Sequence, residues 1–234
     1  MKITALLTGR GGNTLKDKNV LPVLGKPLLY YPASAAKKSG VIDEFYVSSD
    51  CDKILSAAEE IGYTKIVRPL ELATATAKHL DVIRHALQKI DESTDVLVVL
   101  MANTGTIKPE WIKTAVEILK AEPELSAVVP VYQDQDHHPY RAKTLNDSGE
   151  LIPFFDFGEE NVSTNRQELS DCFFLCHSFW AMNLKNSFYS AKGQKPWTFL
   201  GDRIKPLVVD ESFDVHTIED LGRTENWLRK NKLG

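Results

Sequence analysis

Residues 2–27 read KITALLTGRGGNTLKDKNVLPVLGKP. An apolar run, Ile3 to Leu7, passes directly into a loop holding Gly9, Arg10, Gly11, Gly12, Lys16 and Lys18, and apolar residues resume at Val20, Leu21 and Val23. In an open parallel sheet, ligands collect beyond the carboxyl ends of the strands. Glycines there let the backbone turn tightly and bring N–H groups close to an anion. Arg10 adds a planar fork for phosphate-like oxygens, while Lys16 and Lys18 add compact positive charge. The loop from Thr8 to Lys18, with Gly9, Gly11, Gly12 and Asn13, is therefore a candidate anion site. The plainer reading is a solvated basic turn. Neither G-x-x-x-x-G-K-[ST] nor G-x-G-x-x-G is present, which disfavours a P-loop ATPase and an NAD enzyme.

Outward from this loop, short apolar runs alternate with helical patterns. PLLYYPASAAKKSG reads as a helix, with Pro27 suited to its start and Gly40 to its stop; Pro32 either kinks it or marks a later start. EFYVSS, KIVRP, DVLVVLMA and LSAVVPVY read as strands, and CDKILSAAEEIG, AKHLDVIRHALQKI and PEWIKTAVEILK as helices. Leu80, Ile83, Leu87 and Ile90 form one apolar stripe, and DVLVVLMA is continuous enough to be covered on both faces. This alternation, from residue 2 to about 132, predicts a Rossmann-like α/β fold: a mostly parallel sheet with helices on both faces. From Gln133 the texture turns polar, with a turn signal at Asn146-Asp147-Ser148-Gly149, so residues 133–170 read as an inserted arm, a lid or dimerisation element without its own core. CFFLCHSFWAMN and KPLVVD return to the sheet, and TIEDLGRTENWLRK closes the chain as a helix. One domain, 1–234, is expected.

With 234 residues, 43% hydrophobic and 26% charged, the chain can bury a core without disulfides or metals. A net charge of −4 argues against a nucleic-acid partner. No apolar run is long enough to span a membrane, no signal-peptide zones open the chain, and three cysteines cannot all pair, so a cytoplasmic location is expected. Cys172, Cys176 and His177 are not expected to bind zinc. On one continuous strand the two thiols would stand about 13 Å apart.

The segment TGRGGNTLKDKNVLPVLGKPLLYY resembles the opening signature of the CMP-sugar synthetases, the acylneuraminate and Kdo cytidylyltransferases. EFYVSSDCDKILSAAEEIG, VRPLELATATA, HHPYRAKTLNDSGEL, NRQEL and FDVHTIEDL resemble further family segments in the same order. The resemblance covers nearly the whole chain and implies a nucleotide-diphospho-sugar transferase type of fold. It also implies transfer of CMP from CTP to an acid sugar with release of pyrophosphate. On that basis Arg10, Lys16 and Lys18 neutralise charge on the triphosphate, and Asn19 borders the nucleotide. Arg68 either reaches the nucleotide or makes a surface ion pair. His137 and His138 organise the turn before Pro139.

The family's closing D-[IV]-D holds Mg²⁺; here the stretch is Asp214-Val215-His216. If it is a strand, residues two apart face the same side, so both side chains can address one ion. Imidazole is a poor Mg²⁺ ligand, leaving three readings: Asp214 with water on Mg²⁺, a site preferring Mn²⁺, or His216 on phosphate. A plain helix-leading Asp is the non-functional alternative.

Several positions depart from the family pattern. The loop is one residue shorter, with Thr14 where a lysine is expected. Met101 and Ile107 replace a glutamine and an arginine, while Phe174, Leu175, Cys176 and His177 replace sugar contacts. The departures fall on the acceptor side. Asn103, Thr104, Arg166, Gln167 and His177 remain as acceptor candidates, with Arg141 and Lys143 weaker ones, and no general base stands out. The expectation is CMP transfer to a nonulosonic or Kdo-type acid by a homodimer. The alternatives are a small phosphonate acceptor, a sugar-1-phosphate nucleotidyltransferase using UTP or GTP, and an inactive nucleotide-binding module.

Overall fold

A computed structural model describes residues 1–12 and 14–233. Asn13, one of the predicted loop residues, lies outside them. Strand β1 (Lys2–Thr8) pairs in parallel with β4 (Glu44–Ser49) on one side and β6 (Thr94–Met101) on the other, and β4 pairs in parallel with β5 (Thr64–Val67). Between β1 and β4 come a two-residue hairpin, β2 (Pro22–Val23) with β3 (Lys26–Pro27), and helix α1 (Tyr30–Lys38). Pro27 thus belongs to the hairpin and does not start the helix. Pro32 falls in the first turn of α1, where a missing N–H leaves no intrahelical bond unmade.

Helices α2 (Asp52–Glu59), α3 (His79–Leu87) and α4 (Pro109–Ala121) follow β4, β5 and β6 as the alternation predicts. Strand β7 (Ala127–Gln133) does not lie beside β6, however. The late strand β11 (Phe179–Asn183) inserts between them, antiparallel to both. Strand β10 (Phe173–Leu175) also pairs antiparallel with β7, and β12 (Ile204–Val208) pairs with it in parallel. CFFLCHSFWAMN is therefore not one strand, as expected above, but two, with a break and a register slip at Cys176–Ser178. The eight-stranded sheet runs β10-β7-β11-β6-β1-β4-β5, with β12 joined to β7 off this path; it is parallel on the β1 side and mixed on the β7 side.

Alternate residues of the central strands fill two cores. Ile3, Ala5, Leu7, Val96, Val98 and Leu100 pack with α1, α2 and α4 on one face; Leu6, Leu97, Val99 and Met101 pack with α3, Trp180 and Phe199 on the other. DVLVVLMA is continuously apolar from Val96 to Ala102 because that stretch is sealed on both faces, while Asp95 before it is exposed. Helix α5 (Ile218–Lys230) carries Trp227 and Leu228 against Val23, Leu28 and Tyr31. It starts at a capping box in which Thr217 and Asp220 satisfy each other's backbone N–H groups.

The arm forms its own small hairpin, β8 (Lys143–Leu145) with β9 (Leu151–Pro153), joined by the predicted turn, where Gly149 has a φ of +78°. Leu145, Leu151, Ile152, Phe154 and Phe155 are all exposed on this segment.

Candidate active site

A cavity of about 760 Å³ opens at the carboxyl ends of β1 and β6. It is lined on one side by Thr8, Gly9, Arg10, Lys18 and Asn19, and on another by Asn103, Asp214 and His216. Residues from the two ends of the chain therefore share one cleft. Gly9 is required at its position: a Cβ there would stand 2.9 Å from the Ala102 Cβ and 3.2 Å from the Asn19 Nδ2. The loop is tied from several sides. Asn19 Nδ2 donates to the Arg10 carbonyl (3.1 Å), and the Gly11 N–H donates to Asp50 Oδ1 (3.0 Å).

Lys18 is buried, and its Nζ donates to the Val215 carbonyl at 2.9 Å. Burial pushes its pKa down; Asp214 opposes that, and Arg10 adds to it. The ammonium thus bridges the amino-terminal loop and the segment carrying Asp214. That segment is not a strand, contrary to the expectation for Asp214 and His216. It is held to the end of β6 by single bonds: Val215 N–H to Asn103 O (2.9 Å) and Phe213 N–H to Thr106 Oγ1 (2.9 Å). Both Asp214 and His216 nevertheless line the cavity, His216 from an exposed position.

Arg68 is buried at 6% exposure, which removes the surface ion-pair reading. It donates through Nη2 to the Ser48 carbonyl (2.7 Å) and through Nε to Ser48 Oγ (3.2 Å). Burial, with Arg10 nearby, brings its pKa down to about 10 against the pull of Asp50, so it remains a cation at neutral pH and lines the cavity.

Beyond the cations the wall becomes aromatic. His177 packs against Trp180 and Trp197, and Trp180 against half-buried His79 and Phe199. His79 Nε2 lies 3.3 Å from Thr8 Oγ1. Burial, Arg68 and His177 bring the His79 pKa down to about 4, so the ring is neutral at pH 7. Burial also lowers the His177 pKa, opposed by Asp214. His79, Trp180 and Trp197 are cavity residues that the sequence reading missed. His79 was visible only as the opening of a helix, and the tryptophans only as core-type aromatics.

Not every predicted residue reaches the cavity. Lys16 is exposed and, with Gly11 and Gly12, is not on its lining. Thr104 is fully buried behind Asp214, to which its hydroxyl donates at 2.6 Å, a correction to the expectation that it faces an acceptor. Arg166 and Gln167 sit in a 3-10 turn of the arm, where Arg166 pairs with Asp136; the structure does not bring them to this cavity. Arg141 and Lys143 are likewise exposed on the arm.

The donor set fits a divalent cation that arrives with a polyphosphate. No group of three or more His, Cys, Asp and Glu side chains able to hold a metal occurs among the described residues. Mg²⁺, however, is commonly held by one or two carboxylates plus substrate phosphates and water, which Asp214 beside Arg10 and Lys18 can provide.

An α/β sheet with a cationic loop and an acid in the cleft beyond the carboxyl ends of its strands suits a ligand that carries phosphate groups. The match to the cytidylyltransferase family over residues 8–148 is more specific, and the chain belongs to that family. It is 28% identical over 178 residues to the N-acylneuraminate cytidylyltransferase of Streptococcus agalactiae, covering 74% of this chain and 41% of that protein. The chain thus spans less than half the length of this relative. It is 27% identical over 244 residues to the CMP-N,N'-diacetyllegionaminic acid synthase of Legionella pneumophila, covering 99% and 98% of the two chains. In fold it is similar to the CMP:2-keto-3-deoxy-manno-octonic acid synthetase complexed with CTP, with a TM-score of 0.72, 16% identity, and 99% and 100% coverage.

Proposed function

We propose that this chain transfers CMP from CTP to an acidic acceptor of the nonulosonic or Kdo type, with release of pyrophosphate. One observation carries the reading: Arg10 and Lys18 from the amino-terminal loop and Asp214 from near the carboxyl end line a single cavity. In the reaction, an acceptor oxygen bonds to the α-phosphorus while the bond to the β-phosphate breaks, and negative charge moves onto the leaving pyrophosphate. Arg10 and Lys18 are the groups that meet that charge; fixed donors in a dry site are worth far more than in water. Asn19 holds the Arg10 carbonyl and so the loop's shape, and Arg68 supplies a further cation on the cavity wall. A divalent ion bound at Asp214, when present, would neutralise the triphosphate. Lys16 would act from the loop rim, and Asn103 and His177 would meet the acceptor.

The names of the bacterial relatives, an N-acylneuraminate cytidylyltransferase and a diacetyllegionaminic acid synthase, support an acid-sugar acceptor. Two further features belong to this reading: a homodimer that covers the exposed Leu151, Phe154 and Phe155, and work in the cytoplasm, where CTP is made. No helix among the described residues is long and apolar enough to cross a membrane.

The test is pyrophosphate release with each of the four nucleoside triphosphates and Mg²⁺ or Mn²⁺, against a panel of acid sugars and small phosphonates. Mass spectrometry of the CMP conjugate identifies the acceptor. Release with CTP and an acid sugar supports the proposal. Release only with UTP or GTP and a sugar phosphate, or none with any acceptor, ends it.

A further inference from the structure

We infer that Thr104 is a positioning residue whose hydroxyl fixes the Asp214 carboxylate for a divalent cation. The inference rests on the proposed use of a metal-bound triphosphate and assigns a task to a residue that touches neither substrate nor ion.

Thr104 has no exposed surface, and its Oγ1 donates to Asp214 Oδ1 at 2.6 Å, within the short range of charge-assisted O–H···O⁻ bonds. A buried hydroxyl left unpaired is costly, so this bond also holds Thr104 in one rotamer. The bonds of Phe213 and Val215 to Thr106 and Asn103 fix the backbone on either side of Asp214 but leave its side-chain torsions free. Thr104 removes that freedom. It occupies one carboxylate oxygen, Oδ1.

Orientation matters more here than in a site with several acids. Among the described residues no cluster of three metal-type side chains exists, so the protein's share of the coordination falls chiefly on one carboxylate. With a single anchoring group, rotation of that group loses the site. Hydrogen-bond partners behind a metal ligand typically contribute about 10–100-fold in metal affinity.

Thr104→Val deletes the donor at nearly constant volume, and Thr104→Ser keeps a hydroxyl. Mn²⁺ binding to the full chain, with α,β-methylene CTP present, is read by electron paramagnetic resonance. Thr104→Val is expected to weaken Mn²⁺ binding by about 10–100-fold, and Thr104→Ser to restore most of it. Affinity for the analogue alone, measured calorimetrically in EDTA, should be unchanged in both variants. Mn²⁺ binding by Thr104→Val equal to that of the parent overturns the assignment. So does an equal loss of metal-free nucleotide affinity, which would make Thr104 a structural residue. Asp214→Asn separates the two levels of the argument. If it abolishes Mn²⁺ binding while Thr104→Val does not alter it, only the positioning role falls; if it changes nothing, the metal-anchoring role of Asp214 falls as well.

Discussion

The cavity's cationic end and the arm are finished to different degrees within one chain. At the cavity, Lys18, Arg68, Asn19 and Thr104 are each tied to a named partner before any ligand arrives. On the arm, large apolar side chains face outward: Leu145 at 63%, Leu151 at 72% and Phe154 at 61% exposure. Preorganised polar groups suit chemistry, because no reorganisation is needed as charge moves. Uncovered apolar groups suit association, because burying them against a partner releases water. The first region has its polar partners within the chain; the second is the surface on which the proposed dimer would form.

The sharpest way to break this contrast is at Arg10. Arg10→Ala should lower kcat with CTP by about 10²–10³-fold while leaving the melting temperature close to the parent's. A variant with parental turnover would remove the cationic loop from the mechanism. The next test addresses the arm: Phe154→Glu with Phe155→Glu should convert the dimer to monomer at micromolar concentration in sedimentation equilibrium, with CTP affinity preserved. A parent that is already monomeric would show that the exposed apolar surface serves another purpose.

A smaller effect concerns pH. The depressed His79 pKa means that the unfolded chain binds a proton at higher pH than the folded one. Stability from this group is therefore fully present above about pH 6.5 and falls as pH drops towards about 4. Asp91, held below its usual range by Lys2, loses stability in the same direction but at lower pH. His79→Gln should flatten the pH 4–6.5 part of a melting-temperature profile and leave the more acidic part intact. An unaltered profile would place the transition elsewhere.

The smallest expected change is at the exposed cavity rim. His216→Asp should improve Mg²⁺ use a few-fold at most, since exposed charges interact weakly through solvent. A fall in turnover would show that the imidazole has a task of its own.

Much of the α/β layer was legible because period-2 and period-3.6 patterns alternate cleanly through β7 and because β6 is continuously apolar from Val96 onward. Insertion of β11 between β6 and β7 was not: a buried strand reads FWAMN whichever neighbours it has. Pro27 was misread because a two-residue hairpin leaves no periodic signal. At the site, the cationic loop was evident from composition and Asp214 came through family resemblance. The aromatic wall was hidden because Trp180 serves core and cavity at once. Thr104 was read as an acceptor contact and instead is buried against Asp214, since sequence shows proximity to a strand end and not the direction a hydroxyl takes.

The intercalated position of β11 also constrains how the chain is assembled. A nascent chain that has not reached Phe179 exposes the facing edges of β6 and β7, and the Lys18–Val215 bond closes a loop across 197 positions. Contacts of such separation slow folding, because the entropy of closure must be met before they form. The chain up to Ser178 therefore emerges from the ribosome with two open strand edges, and open edges of this kind favour aggregation.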